Sequence, residues 1–346
     1  MNAQQFDIFD FMYDTFYLPS DRPVRLIEMF AGIGTQRMAF EKLGVPYEVI
    51  AIVEVDKFAL LSYASIHTNY LKVRNKYFDD CQLSKEEMVK TLQDKNVGYN
   101  FMTSKHSITE KNNIEIVRDY YLADKLSKNL GDVSIVKGVD LPKDIDMLTY
   151  SFPCTDLSKA GTQSGLGKDT RSGLVYQVFR IVEELIAIDN TPKTLVMENV
   201  VDLIQIKFIK EFQEMQIDLE HMKFSNYVHV MNAKDYGVAQ NRDRVFMVSI
   251  FGEYNYVKPR PFRLEKKLKD YLETDVDETF YLSDTFIKGM QTNSSDKYDR
   301  ASRFESSTKQ AEDWEYSTAI TTREGNVATS TFIKIPEDTK QGYAEA

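Results

Sequence analysis

The segment VRLIEMFAGIGTQRMAFEKLGVPYEVIAIVEVD, which covers residues 24–56, decides the fold. A short apolar run at 24–29 ends in the turn FAGIG, and a helical pattern follows until Gly44 and Pro46 end it. The next run, 47–55, is rich in valine and isoleucine and predicts a buried strand. Since a strand, a helix and a strand follow one another, the segment predicts the first crossover of a parallel sheet.

The alternation of strands and helices continues further along the chain. The sequence predicts strands at 146–152, 194–198, 227–231 and 244–250, and helices at 172–188 and 208–219. This order is typical of an α/β fold in which a mostly parallel sheet carries helices on both faces. We therefore predict an α/β domain over residues 24–255, preceded by an aromatic leader at 1–23 and followed by a separate region at 256–346.

One long stretch, 72–130, interrupts this alternation. It is polar and poor in strand-forming residues, and it holds a capping box at Ser84–Glu87 and a helical pattern from Ile114 to Leu130. We interpret it as a helical insertion on the surface of the domain.

Composition excludes several classes of protein. No run of about 18 apolar residues is present, so no transmembrane helix is expected. The two cysteines, Cys81 and Cys154, cannot form a disulfide framework, which is typical of a reducing cytoplasm. The four histidines lack the spacing of metal ligands, so no metal site is expected. The net charge of −10 argues against binding nucleic acid through overall charge, so a locally basic cleft would be needed.

The turn at residues 30–34 and the acid Glu54 are candidates for a nucleotide or nucleoside site. Gly32 and Gly34 allow the backbone to approach a ligand at the start of a helix, and an acid at the end of the next strand commonly binds the two hydroxyls of a ribose. The turn lacks the third glycine of the dinucleotide fingerprint, which favours a nucleoside without phosphates. A plain connection between a strand and a helix is the alternative interpretation.

A second group of candidate residues follows the later strands. Cys154 comes after Pro153 at a strand end and before a glycine-rich loop of the kind that moves over a substrate, although a lone cysteine is more often a small buried apolar residue. Glu198 ends the next strand, where a carboxylate is either functional or a cap for the following helix. Arg242 and Arg244 point the same way if the segment is extended, although such pairs are more often solvated charges.

Taken in order, these motifs resemble those of DNA cytosine-5 methyltransferases of the bacterial and phage restriction-modification type, and the resemblance spans residues 24 to 250. The residues that match the family's cofactor motifs are Phe30, Ala31, Gly32, Ile33, Gly34, Glu54, Val55, Asp132, Val133, Pro153 and Leu174. The residues that match its catalytic motifs are Cys154 of Pro-Cys, Glu198 of Glu-Asn-Val, and Arg242 and Arg244 of Gln-x-Arg-x-Arg.

The resemblance implies a Rossmann-like, S-adenosylmethionine-dependent methyltransferase domain followed by a partial target-recognition region. It implies methylation of C5 of cytosine in double-stranded DNA, with the base flipped out of the helix and Cys154 bonded to C6. Glu198 would contact N3, Arg244 would hold O2, and Arg242 would position the loop or a neighbouring phosphate. Asp132 would meet the adenine amine of the cofactor. A cytoplasmic protein encoded by a bacterium or phage is expected.

The sequence departs from the family pattern near its end. The family's last motif, Gly-Asn-Ser-Val, is echoed only by Gly325–Val327, which lacks the serine and a following apolar helix. We therefore expect that the chain is truncated in its target-recognition region and needs either a second polypeptide or the missing C-terminal segment for full activity. Two other functions stay open: an RNA cytosine-5 methyltransferase, and a catalytically silent subunit that only binds DNA or a partner.

Overall fold

The computed structural model describes residues 22–80, 83–101, 103–153, 172–254 and 256–271, together with Ser283 and short segments near the end of the chain. Those segments are 294–295, 298–299, 308–310, 315–318, 332–334 and 343–345. The predicted leader, apart from its last two residues, lies outside the described residues.

The elements of the described residues follow the predicted alternation. The α-helices are α1 (Thr35–Leu43), α2 (Lys57–His67), α3 (Tyr70–Asp80), α4 (Lys85–Asp94), α5 (Ile114–Leu126), α6 (Val175–Ala187) and α7 (Ile209–His221). The strands are β1 (Val24–Met29), β2 (Tyr47–Val53), β3 (Tyr99–Asn100), β4 (Lys105–His106), β5 (Met147–Tyr150), β6 (Thr194–Asn199), β7 (Phe224–Asn232), β8 (Gln240–Asn241), β9 (Asp243–Phe251), β10 (Ser294–Ser295), β11 (Tyr298–Asp299), β12 (Thr308–Gln310), β13 (Ser317–Thr318), β14 (Phe332–Lys334) and β15 (Tyr343–Glu345). Within the described ranges, no helix has the length and apolarity that crossing a membrane requires.

A six-stranded sheet with the order β2-β1-β5-β6-β9-β7 organises the α/β part of the chain. β1 pairs in parallel with β2 and with β5, and β5 pairs in parallel with β6, whereas β6 and β9 are antiparallel. The predicted mostly parallel sheet is confirmed. The carboxyl ends of its parallel strands meet at one edge, which brings the turn 30–34, Glu54, residues 151–153 and Val200 to the same side of the sheet.

Apolar side chains cover both faces of this sheet. Ala51 and Val53 pack into one buried cluster with α6 and α7, while Ile52 between them packs into a second cluster with α2, α4 and α5. Successive side chains of a strand point to opposite faces, so the two clusters lie on opposite sides of the sheet. Helices on both faces were predicted from the alternation.

The structure corrects the interpretation of residues 72–130 as a surface insertion. Met88 and Leu92 of α4 and Val117 of α5 are fully buried in the cluster around Ile52. Met88 and Leu92 lie one helical turn apart on the same face, so a few apolar residues in a polar stretch are enough to form a buried stripe. The segment also contains α3, which its polar composition did not predict.

Two predicted boundaries are also wrong. The helix expected to reach Leu130 ends at Leu126, because the chain turns at Lys128, whose φ is 52°, and then pairs with β2. The N–H of Ile52 donates to the carbonyl oxygen of Lys128 at 3.2 Å, and the N–H of Leu130 donates to that of Ile52 at 2.9 Å. β2 itself ends at Val53 rather than at residue 55. The chain after α5 therefore runs beside the end of β2.

The chain forms two compact units. The first contains the described residues up to His229 together with Val245–Val257, and the second contains Val230–Arg244 together with the described residues from Lys258 onward. The domain boundary near 255 stays a prediction.

A buried acid on β1 holds the start of α1. Glu28 is 0% exposed, and its carboxylate accepts hydrogen bonds from the hydroxyl of Tyr63 at 2.6 Å and from the N–H of Arg37 at 3.1 Å. The residue before α1 is Gly34, which has no side chain to cap the helix. Glu28 therefore supplies the acceptor that the first turn of α1 lacks, and burial raises its pKa although these donors favour the charged form.

This raised pKa predicts a pH-dependent effect of Glu28→Gln on the free energy of unfolding. A carboxyl whose pKa is higher in the folded than in the unfolded state stabilises the fold at low pH, and this contribution is lost as the pH rises through the folded-state pKa. The stability of Glu28→Gln relative to the wild type should therefore improve as the pH rises above the ordinary glutamate pKa of 4.5, as measured by urea unfolding over a pH series. Glu110→Gln at an exposed position is the control for removal of one charge. A difference that stays constant with pH would contradict the assignment.

Candidate active site

The glycine turn joins β1 to α1 at the carboxyl edge of the sheet. Phe30, Gly32 and Gly34 have positive φ values of 54°, 55° and 80°. Glycine adopts this left-handed backbone without strain, which explains why two of the three positions carry it. The N–H of Phe30 donates to the carbonyl oxygen of Val53 at 2.9 Å, so the turn begins beside the end of β2.

Gly34 is required by its neighbours as well as by its φ. A Cβ atom at this position would lie 2.5 Å from Nε2 of His67 and 2.8 Å from Cε2 of Tyr63. Nε2 of His67 lies 2.8 Å from the carbonyl oxygen of Ile33, and burial lowers the pKa of His67, which favours the neutral ring. Ala31 is buried, whereas the Ile33 side chain is 47% exposed. Helix α2 therefore fixes the turn and leaves Ile33 facing solvent.

Gly32, by contrast, presents an open face beside an acid. Among the described residues, no atom beyond the chain neighbours lies within 4 Å of the position that a Cβ would occupy, and the Gly32 N–H donates to Oε2 of Glu54 at 2.8 Å. Oε1 of Glu54 accepts from the N–H groups of Val55 and Asp56 at 2.9 and 2.7 Å. Burial raises the pKa of Glu54, while these three donors favour its charged form. The edge thus combines a glycine backbone with a carboxylate that three main-chain N–H groups hold in place.

Asp132 is held by the chain segment that follows α4. It is 2% exposed, and its carboxylate accepts from the N–H of Ser134 at 2.9 Å and from Nδ2 of Asn96 at 2.8 Å. Its own N–H donates to the carbonyl oxygen of Lys95 at 3.0 Å. Val133 is buried in the cluster that Ala51 and Val53 form with α6 and α7, called the main core below. The residues that the sequence predicted to be an insertion therefore reach the candidate cofactor site.

The ends of β5 and β6 are tied together by side-chain amides. Nδ2 of Asn199 donates to the carbonyl oxygen of Phe152 at 3.1 Å, and its Oδ1 accepts from the N–H of Val200 at 2.8 Å. Nε2 of Gln36 donates to Oγ of Ser151 at 3.1 Å, which links α1 to the same loop. Glu198 precedes Asn199 on β6 and is half-buried.

The structure describes Pro153 and Leu174 but not Cys154. Pro153 is half-buried at the end of the described loop, and Leu174 is half-buried and packs against the main core. Cys154 lies outside the described residues, as does the glycine-rich loop that follows it.

Both predicted arginines belong to the second unit. The N–H of Arg242 donates to Oδ1 of Asn232 at 3.2 Å, and its carbonyl oxygen accepts from the N–H of Ala233 at 3.0 Å. Nη1 of Arg244 donates to the carbonyl oxygen of Asp243 at 2.7 Å. Both arginines are half-buried.

Sequence reasoning missed three polar side chains of this region. They are Gln36, Asn96 and Asn129, each of which bonds to a residue of a predicted motif or to its neighbour. None belongs to a motif, and the one signal for Asn129 is its place just before Gly131 and Asp132. Over the described ranges, no group of three or more His, Cys, Asp and Glu side chains is arranged to hold a metal ion.

Two solved structures share this fold. The methyltransferase EhMeth of Entamoeba histolytica superposes with a TM-score of 0.56 at 16% identity, over 94% of this chain and 83% of its own. The Dnmt2 methyltransferase of S. pombe superposes with a TM-score of 0.55 at 12% identity, over 92% of this chain and 77% of its own. These similarities confirm the predicted Rossmann-like methyltransferase fold.

Two curated proteins are similar in sequence over most of the chain. The type II methyltransferase M2.ScrFI of Lactococcus lactis subsp. cremoris is 38% identical over 267 residues, which are 76% of this chain and 71% of that protein. The orphan methyltransferase M.SssI of Spiroplasma monobiae is 35% identical over 267 residues, which are 74% of this chain and 67% of that protein.

The family description of the C-5 cytosine-specific DNA methylases matches residues 24–96 and 95–344, which include every motif quoted from the sequence. The order of motifs, the fold and the related proteins agree. This chain belongs to the C-5 cytosine-specific DNA methylase family, whose enzymes methylate C5 of cytosine in DNA.

Proposed function

We propose that this chain transfers a methyl group from S-adenosylmethionine to C5 of cytosine in double-stranded DNA through a covalent bond between Cys154 and C6. The observation that carries the proposal is the hydrogen bond between the Glu54 carboxylate and the Gly32 N–H beside an open glycine face. Pro153, the neighbour of Cys154, follows β5 at the same edge of the sheet. A donor site and a nucleophile at one edge are what methyl transfer requires.

The chemistry of this edge fits S-adenosylmethionine, which supplies an activated methyl group on a sulfonium centre. The Glu54 carboxylate binds the ribose hydroxyls. Each carboxylate oxygen of Asp132 accepts one hydrogen bond, which leaves acceptor capacity for the adenine amine. The other proposed cofactor residues are Phe30, Ala31, Gly32, Ile33, Gly34, Val55, Val133, Pro153 and Leu174.

Cys154 is the proposed nucleophile. C5 of cytosine reacts poorly within the aromatic ring, but addition of the Cys154 thiolate to C6 gives C5 the character of an enamine carbon. C5 then attacks the sulfonium methyl group, whose bond to sulfur breaks, so that the donor leaves as S-adenosylhomocysteine. A base or water removes the C5 proton, and elimination of the thiolate restores the ring and frees the cysteine. Each bond formed to the ring other than the new methyl bond is therefore broken again.

Three charged residues complete the proposed reaction. Glu198 hydrogen-bonds or protonates N3 of the base, which draws electron density out of the ring as Cys154 adds. Glu198 is suited to this role because its neighbour Asn199 binds the loop that leads to Cys154. Arg244 holds O2 of the base, and Arg242 positions the loop or a phosphate.

The partner in this reaction is double-stranded DNA with the target base flipped out, since C6 of a stacked cytosine is inaccessible to a protein thiolate. The need for a second polypeptide and the cytoplasmic location stay predictions. An assay of methyl transfer by the single chain, with and without an added downstream polypeptide, decides the first: full activity of the chain alone would refute it.

Cys154→Ser tests the nucleophile. A serine hydroxyl is a far weaker nucleophile than a thiolate, so we expect methyl transfer to fall by roughly 1,000-fold or more. The wild type should form a covalent complex with duplex DNA that contains 5-fluorocytosine, because the fluorine cannot leave as a proton does. Cys154→Ser should form none, as seen on denaturing gels.

Cys81→Ser is the matched control, since it removes the other cysteine. It should form the complex as the wild type does. Trapping by Cys154→Ser would overturn the mechanism. Trapping on RNA but not DNA would support the RNA enzyme, and no trapping by the wild type on either would support a silent subunit.

Gly32→Ala tests the cofactor site against a matched control, Gly44→Ala. Both glycines have positive φ, of 55° and 64°, and within the described part of the chain neither has a neighbouring atom within 4 Å of a Cβ position. The strain should cost about 1–2 kcal/mol of stability in each variant. Only Gly32→Ala should weaken S-adenosylmethionine binding, by about 10-fold or more in calorimetry, since its methyl fills the open face. Equal affinities in the two variants would contradict the site.

A further inference from the structure

The predicted insertion bonds directly to Asp132 and to Val55, the neighbour of Glu54. After α4, the carbonyl oxygen of Lys95 and Nδ2 of Asn96 bind Asp132, at 3.0 and 2.8 Å. The N–H of Gly98 donates to the carbonyl oxygen of Val55 at 2.7 Å, one residue beyond Glu54. This segment therefore bonds to Asp132 and to the residue next to Glu54.

Asn129 lies at the centre of these contacts and is 2% exposed. Its Oδ1 accepts from the N–H of Glu54 at 3.0 Å and from that of Gly131 at 3.1 Å. Its Nδ2 donates to the carbonyl oxygen of Glu54 at 3.0 Å and to Oδ1 of Asp124 at 3.1 Å. A primary amide has two N–H donors and two acceptor positions, so every one is used.

The Asn129 amide replaces a strand partner for Glu54. β2 ends at Val53, and beyond this point the main chain of Glu54 has left the ladder. Both its N–H and its carbonyl oxygen are bonded by the one side chain of Asn129, as a neighbouring strand would bond them. One amide therefore satisfies both main-chain polar groups of the residue whose carboxylate accepts from Gly32.

Asp124 and Lys95 fix the orientation of the amide. Asp124 is 0% exposed, so its buried carboxylate needs hydrogen-bond donors around it. The Asn129 amide therefore turns its donor Nδ2, rather than its acceptor Oδ1, toward Asp124. Nζ of Lys95 lies 2.6 Å from Oδ2 of Asp124 and 2.6 Å from the carbonyl oxygen of Asn129. The positive charge of Lys95 thus compensates the buried negative charge of Asp124.

We propose that Asn129 is a positioning residue of the cofactor site, which holds Glu54 in place to bind the ribose, and that Lys95 and Asp124 fix its amide. The proposal rests on the proposed S-adenosylmethionine site. It gives the segment 72–130 a role in cofactor binding, through the chain of contacts from Lys95 to Asp124, Asn129 and Glu54.

A purely structural role would predict a different result. The chain beside β2 is also held by main-chain hydrogen bonds between Ile52 and Lys128 and between Leu130 and Ile52, which do not involve the Asn129 side chain. Loss of the amide should therefore leave this chain paired with β2 and release Glu54. Cofactor binding should suffer more than the fold does.

Asn129→Ala and a matched control, Asn190→Ala, separate the two roles. Asn190 is 7% exposed, and its amide also bridges main-chain groups, accepting from Asp144 N–H at 3.0 Å and donating to the carbonyl oxygen of Pro142 at 3.0 Å. These groups precede β5 and β6, at the opposite edge of the sheet from Glu54. Both variants lose a buried amide, but only one loses a contact to the site.

We expect the dissociation constant for S-adenosylhomocysteine, measured by calorimetry on the full chain, to rise about 10–100-fold in Asn129→Ala and to stay unchanged in Asn190→Ala. Thermal unfolding should show comparable losses of stability in both. In methyl-transfer assays, Asn129→Ala should raise the KM for S-adenosylmethionine while kcat and the KM for DNA stay near wild type.

Unchanged affinity in folded Asn129→Ala would overturn the proposal. If that variant does not fold, Asp124→Asn takes its place, because it keeps the shape of the buried group but removes the partner of Lys95. Its affinity should fall about 3–10-fold, and wild-type affinity in Asp124→Asn would equally overturn the proposal. If the wild type binds neither S-adenosylmethionine nor S-adenosylhomocysteine, the proposed function fails, which is a separate outcome.

Discussion

The hydrogen bond from the Gly32 N–H to the Glu54 carboxylate is the contact on which the rest of the site depends. It joins the turn after β1 to the end of β2, two neighbouring parallel strands whose carboxyl ends meet at the same edge. A half-buried carboxylate is costly unless donors surround it, and three main-chain N–H groups do so here. The fold thus presents an oriented acid beside an open glycine backbone.

Two asparagine side chains bond main-chain groups that have no strand partner, each at a different strand end. Where strands separate, main-chain N–H and C=O groups lose their ladder partners, and each must find another. An asparagine amide offers donors and acceptors together, so Asn129 completes the bonding of Glu54, and Asn199 ties Phe152 to Val200. The irregular edge of the sheet, where ligands of such folds bind, is therefore held by side chains rather than by strand pairing.

The alternating apolar runs and the glycine turn made the sheet and its helices predictable. The spacing of apolar residues, and the glycines and prolines that end each element, follow from backbone geometry. The role of residues 72–130 was not predictable in this way. This segment has too few apolar residues to indicate a buried helix from sequence alone, yet Met88 and Leu92 lie on one buried helix face. Asn129 carries no motif, and its four contacts come from Glu54, Gly131 and Asp124, which only the folded chain brings together.

A crystal structure of the chain with S-adenosylhomocysteine would show whether Glu54 binds the ribose of the cofactor. We expect both ribose hydroxyls to lie within hydrogen-bond distance of the Glu54 carboxylate, next to Gly32, with the four Asn129 contacts retained. A ribose bound at another part of the sheet, with the Glu54 carboxylate still bonded only to main-chain N–H groups, would contradict it.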